Sequence, residues 1–165
     1  VIRTAPASPS MVLESACMLD LTSAFITTKH VLPHMLALGG GAIVNIGSIG
    51  SMRYLGYNYP IYSSTRGGLV QFTVNVALEY ASRGYPANCI APGLIETPMM
   101  YEQIVGNYDS VEDILAQRNA LSPTGSMDDS FDIANTTVSL ASDEARYVNG
   151  IYLPTDGGLT AAVAQ

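Results

Sequence analysis

A serine, a tyrosine and an arginine stand in an order that brings a hydroxyl, a phenol and a fixed cation together. The stretch from Gly41 to Arg66, GAIVNIGSIGSMRYLGYNYPIYSSTR, opens with the apolar run Ala42-Ile43-Val44-Asn45-Ile46. That run predicts a buried strand, the Gly/Ser segment behind it predicts a turn, and a helix is expected from Tyr62. The strand end delivers Ser48. Tyr62 and Arg66 lie four apart, so on a helix they share a face and point together at whatever Ser48 faces across the turn. A phenol titrates near ~10 unperturbed, and at neutral pH it needs a nearby cation to favour the phenolate. Arg66 supplies a charge that it does not readily give up.

The elements around this stretch predict an α/β fold. Residues 1 to 9 read as a loop, and a helix is expected from about Ser10 to Leu38, with Leu13, Cys17, Leu21, Phe25 and Leu32 on one stripe and a kink before Pro33. Gly39-Gly40-Gly41 precedes a strand, which makes it a helix stop and not a phosphate cradle. After the strand at 42 to 46, a helix runs from Tyr62 to about Ser82 and opens with small residues. Residues 87 to 91 make a second buried strand that Pro92-Gly93 cuts. The segment 94 to 125 is irregular with helical pieces; Ser110-Val-Glu-Asp113 reads as a cap for a helix to about Asn119, and Ser126 or Asp128 as the cap of a helix through Ile133, Val138 and Leu140. Residues 150 to 155 give a third strand. Buried strands alternating with helices imply a parallel sheet with right-handed crossovers. No repeat or linker divides the chain, so residues 1–165 read as a single domain.

Composition narrows the partners. The chain has 165 residues, 48% hydrophobic and 13% charged, enough for one compact core. Seven Lys and Arg against fourteen Asp and Glu, a net charge of −7, with the cations spread singly, offer no basic stripe for nucleic acid. No apolar run approaches the roughly 20 residues that span a bilayer, and VIRTAPASPS lacks the order of a signal peptide. A cytoplasmic protein without membrane partners is expected. Cys17 and Cys89 sit among apolar residues and read as two buried thiols, while His30 and His34, without an acidic or cysteine neighbour, read as a surface or partly buried pair; no metal site is expected. The tyrosines at 54, 57, 59 and 62 could form a packed aromatic loop, but only Tyr62 has a cation four residues on.

The order NIGS, then Tyr62-x-x-x-Arg66, then Ala91-Pro92-Gly93 with Thr97, then Thr155-Asp156-Gly157-Gly158, resembles the short-chain dehydrogenase/reductase family over nearly the whole chain. The resemblance implies a Rossmann-like, doubly wound parallel sheet, of which about three strands are found where such sheets have roughly six. Against the family, the chain begins after the fourth strand and is expected to be its C-terminal half, without the glycine-rich dinucleotide motif.

The resemblance also implies an activity: hydride transfer between NAD or NADP and a carbonyl or alcohol of a small molecule. Tyr62 would be the general acid/base, Ser48 would hold the substrate oxygen, and Arg66, where the family carries lysine, would bind the nicotinamide ribose. Pro92, Gly93, Ile95 and Thr97 match the segment that holds the nicotinamide carboxamide. Asp20, in MLDLTSAF, occupies the place of a family asparagine that keeps a proton relay hydrated. An ion pair between Asp20 and Arg66 is expected, with a weakened pull of Arg66 on Tyr62, and if these 165 residues are the entire protein, dinucleotide affinity is expected to be weak or absent. The family commonly forms dimers or tetramers, so a homo-oligomer is expected. Met99, Met100, Tyr101, Ile104 and Leu121 suggest an apolar substrate pocket. Two alternatives remain open: a halohydrin-dehalogenase-like lyase, which the Ser-Tyr-Arg set and the missing glycine motif suit, and a non-catalytic truncated homologue.

Overall fold

The computed structural model describes residues 9–56, 58–104 and 110–162. Three parallel strands, β1 (Ile43–Ile46), β2 (Ala87–Pro92) and β3 (Tyr152–Thr155), form one sheet in the order β1-β2-β3. Ile43 stands opposite Ala87, and Cys89 opposite Tyr152. The helices are α1 (Pro9–Cys17), α2 (Ser23–Leu38), α3 (Pro60–Tyr80), α4 (Pro98–Ile104), α5 (Val111–Leu121) and α6 (Ser130–Ala141).

Alternation along the strands sends neighbouring side chains to opposite faces. Ala87 packs with Val76 and Ala77 of α3 and with Ile43, whereas Ile90 packs with Leu140 of α6 and with Val44 and Leu153. Helix α3 therefore covers one face and α6 the other. Leu32 and Met35 of α2 join the α3 side through Ile43, Tyr80 and Tyr85. The expected right-handed rule does not hold for both connections. Both step the same way across the sheet while their helices lie on opposite faces, so the two crossovers have opposite hands.

The long first helix is also interrupted. A π-helical turn, Met18–Thr22, separates α1 from α2. The extra residue per turn shifts the phase of everything before it. The expected stripe accordingly fails as a buried face: Leu32 is buried, Cys17 and Leu21 are partly covered, and Leu13 and Phe25 are exposed. Of the two thiols only Cys89 is buried. Pro33 lies inside α2, which runs on through it to Gly39, whose φ of 74° closes the helix in the left-handed conformation.

Helix α3 starts two residues before Tyr62, because Pro60 sits favourably in a first turn. Ser110 caps α5 as expected, its hydroxyl accepting the Asp113 N–H at 3.1 Å, and α5 runs two residues past Asn119 to Leu121. Asp129, and neither Ser126 nor Asp128, caps α6 by accepting from the N–H groups of Phe131 and Asp132 in a reciprocal capping box. No helix among the described residues is long and apolar enough to cross a membrane.

Candidate active site

The C-terminal ends of β1 and β2 open onto a cleft of about 860 Å³, within the roughly 300–1,000 Å³ of small-molecule sites. Ser48 stands at its wall two residues past β1, with extended backbone (φ −166°, ψ 144°). Its hydroxyl accepts the Gly50 N–H at 3.1 Å, and its carbonyl accepts the Ser51 hydroxyl at 2.7 Å. The Ser51 N–H also donates to that carbonyl at 3.0 Å, and a further donor comes from far along the chain. The Tyr152 hydroxyl of β3 bonds to the Ser48 carbonyl and to the Ser51 hydroxyl, so the turn that presents Ser48 is pinned to the far strand of the same sheet. Burial raises the Tyr152 phenol above the ordinary tyrosine range, which keeps it a neutral donor.

Across the cleft, Tyr62 and Arg66 share one face of α3. The guanidinium carbon of Arg66 lies 5.2 Å from the centroid of the Tyr62 ring, a cation–π distance. Its Nη1 donates to the Ile46 carbonyl at 2.9 Å, and its Nη2 meets Asp20 Oδ1 at 2.9 Å. The Thr65 hydroxyl donates to the other carboxylate oxygen of Asp20 at 2.7 Å. Asp20 reaches this position from the π-helical turn. Both partners are well shielded, at 23% and 13% side-chain exposure, so the pair holds its geometry more firmly than a surface ion pair. Arg66 Nε is buried with no hydrogen-bond partner.

The third wall follows β2. The Gly93 N–H donates to the Thr155 carbonyl at 3.0 Å, and a Cβ on Gly93 would come within 2.7 Å of Cα and Cβ of Asp156. Only glycine permits that approach. Asp156 is itself fixed, accepting the N–H groups of Gly158 at 3.0 Å and Thr160 at 2.8 Å. Ile95 bridges to Asp128 in parallel, and the Thr97 hydroxyl accepts the Met100 N–H at 3.3 Å where α4 begins.

Seven of the residues singled out in the sequence, Ser48, Tyr62, Arg66, Pro92, Gly93, Ile95 and Thr97, line this one cleft. Asp20 does not line it and acts on it through Arg66. Tyr54 and Tyr59 line it as exposed side chains; Tyr57, the other member of the tyrosine cluster considered above, lies outside the described residues. Met99 and Met100 belong to the wall. Tyr101 instead donates its hydroxyl to Glu96, which raises its pKa, Leu121 is exposed, and the Ile104 side chain lies outside the described residues. His30 and His34 are exposed on α2, and among the described residues no cluster of His, Cys, Asp and Glu could hold a metal. Sequence reasoning missed Tyr152, Thr65 and two further arginines on the cleft, Arg53 and Arg118. No spacing rule links Tyr152 to Ser48 across 104 residues.

A family model described as enoyl-(acyl carrier protein) reductase matches residues 8–160. The chain belongs to the short-chain dehydrogenase/reductase family. It is 36% identical over 142 residues to 2,5-dichloro-2,5-cyclohexadiene-1,4-diol dehydrogenase LinX of Sphingobium indicum, covering 86% of this chain and 54% of that protein. It is 33% identical over 162 residues to 2-(R)-hydroxypropyl-CoM dehydrogenase of Xanthobacter autotrophicus, covering 98% and 61%. The fold matches a short-chain dehydrogenase/reductase from Burkholderia xenovorans with a TM-score of 0.87 at 38% identity, over 97% of this chain and 62% of that one. It also matches a gluconate 5-dehydrogenase from Burkholderia cenocepacia in complex with NADP and tartrate, with a TM-score of 0.82 at 28% identity, over 96% and 59%. The chain thus spans little more than half the length of the relatives it matches.

Proposed function

We propose that this chain carries the catalytic and nicotinamide-facing part of an oxidoreductase that moves a hydride between NAD or NADP and a small carbonyl or alcohol. The observation that carries the reading is the convergence of Ser48, Tyr62 and Arg66 with Pro92, Gly93 and Thr97 on one cleft. A nicotinamide cofactor, when bound, accepts or supplies the hydride. The residues present fit it: Arg66 Nε is a buried donor left over for a ligand hydroxyl, and the backbone from Pro92 to Thr97 borders the same space. The names of the relatives, dehydrogenases of a diol and of hydroxypropyl-CoM, and the NADP in the gluconate dehydrogenase structure support the same class.

In this reading Tyr62 exchanges a proton with the substrate oxygen and Ser48 hydrogen-bonds that oxygen. For Ser48 the hydroxyl is already oriented by Gly50, and its backbone by Ser51 and Tyr152. Arg66 brings positive charge to the phenol but divides it between Asp20 and the Ile46 carbonyl, and a guanidinium does not release a proton as an ammonium can. Proton delivery to Tyr62 therefore runs from solvent, to which its 39% exposure leaves it open. Exposed apolar side chains on α2, among them Phe25, Ile26 and Leu38, fit association into a homo-oligomer, dimer or tetramer, which light scattering checks.

The test is oxidation of NADH and NADPH, followed by nicotinamide absorbance, with a panel of aldehydes and ketones and the protein that carries this chain. Turnover should fall about 10²–10⁴-fold in Tyr62→Phe with the melting temperature unchanged. Equal turnover in parent and Tyr62→Phe would remove the reading.

A further inference from the structure

In a chain whose net charge is −7, the cleft collects Arg53, Arg66 and Arg118 out of seven Lys and Arg, and among the described residues no Asp or Glu lines it. Sequence spacing hides this concentration, because the three lie on the turn after β1, on α3 and on α5. Arg66 is matched by Asp20. Arg53 and Arg118 join no ion pair among the described residues. Arg118 is the more telling of the two: it is partly buried on α5, and its Nε is shielded and makes no hydrogen bond. A shielded donor left without a partner carries a cost that an arriving anion would remove. Met99, Met100 and Leu55 share the cleft with these cations and supply apolar surface beside them.

We propose that the cleft takes a substrate with an apolar body and an anionic group, a carboxylate, phosphate or sulfonate, which Arg118 holds while Arg53 attracts it at the mouth. This rests on the reading of the cleft as the substrate site. A planar guanidinium presents parallel donors suited to two oxygens of one anion, and a bond between two charged partners is about twice as strong as a neutral one. The arginines then act as specificity residues, remote from the proton transfer at Tyr62. The competing source of negative charge is the diphosphate of the dinucleotide.

Calorimetry with benzoate and benzamide, which share a shape and differ in charge, tests the proposal without requiring turnover. The parent should bind benzoate about tenfold or more tightly than benzamide. Arg118→Gln should bring the ratio close to one with benzamide affinity unchanged, and Arg118→Lys should keep part of it. Arg53→Gln, on an exposed side chain whose loss leaves the fold alone, should lower the ratio several-fold, and an unchanged ratio there counts against the proposal. Equal affinities in the parent overturn it. So does an Arg118→Gln variant that keeps the benzoate preference and loses only binding of inorganic pyrophosphate, which would assign Arg118 to the dinucleotide. Benzoate preference without any NAD(P)H turnover would sink the oxidoreductase reading and leave the anion site standing. Turnover without the preference does the reverse.

Discussion

Strands β1 and β2 are hydrogen-bonded neighbours with similarly apolar sequences, yet they live in different surroundings. In β2, Ala87 to Ala91 are all buried, with Cys89 and Ile90 fully shielded, whereas β1 is partly exposed throughout and Ile46 is 40% exposed. Sheet order explains the difference. β2 has a strand on each side, α3 on one face and α6 on the other, while β1 pairs with β2 alone among the described residues. Chemistry sits on the open side: Ser48 follows β1, and Tyr62 lies in the first turn of α3. The buried strand supplies the scaffold, and the half-covered one supplies groups that ligand and solvent can reach.

The largest expected effect separates the two strands by truncation. Ile90→Ala removes a fully buried side chain from the cluster with Leu140 and Ala145 and should cost about 4 kcal/mol, against about 1 kcal/mol for Ile46→Ala. Urea denaturation measures both, and equal costs would erase the contrast. A somewhat smaller loss is expected for Asn88→Ala. The Asn88 side chain donates to the Val148 carbonyl at 2.7 Å and accepts the Ile151 N–H at 3.2 Å, stitching β2 to the entry of β3. Leaving those buried groups unpaired should cost about 3 kcal/mol.

These contrasts also mark what a sequence can reveal. The strand runs, the Gly39 stop and the Ser48, Tyr62 and Arg66 set were legible because each follows a local period or spacing. The π-helical turn was not, since a helical period assumes regular turns, and nothing in MLDLT announces the extra residue that delivers Asp20. Asp129 was missed as a cap because four residues capable of capping crowd the stretch from Ser126 to Ser130. The reach of Tyr152 to Ser48 and the placement of Arg53 and Arg118 on one cleft depend on tertiary neighbours that no spacing encodes.

Between scaffold and site stands Tyr152, and its removal sharpens the comparison. Tyr152→Phe should lose about 1 kcal/mol of stability and, by untying the Ser48 turn from β3, lower turnover about tenfold. Unchanged turnover would detach Ser48 from the buried sheet. The smallest effect concerns reactivity alone. Burial pushes the Cys89 thiol up to about 11, so it should resist iodoacetamide at pH 8 in the folded protein and react once urea unfolds it, as mass spectrometry reads directly.

The open side depends above all on the coupling of Arg66 to Asp20, 2.9 Å apart. The most direct measurement is a double-mutant cycle on reductase turnover with Arg66→Lys, Asp20→Asn and the two combined. If Asp20 draws charge away from Tyr62 through Arg66, the double variant should gain more than the two single changes added, by about 1 kcal/mol or roughly fivefold. Strict additivity would contradict the coupling and leave the ion pair a structural tie between two helical segments.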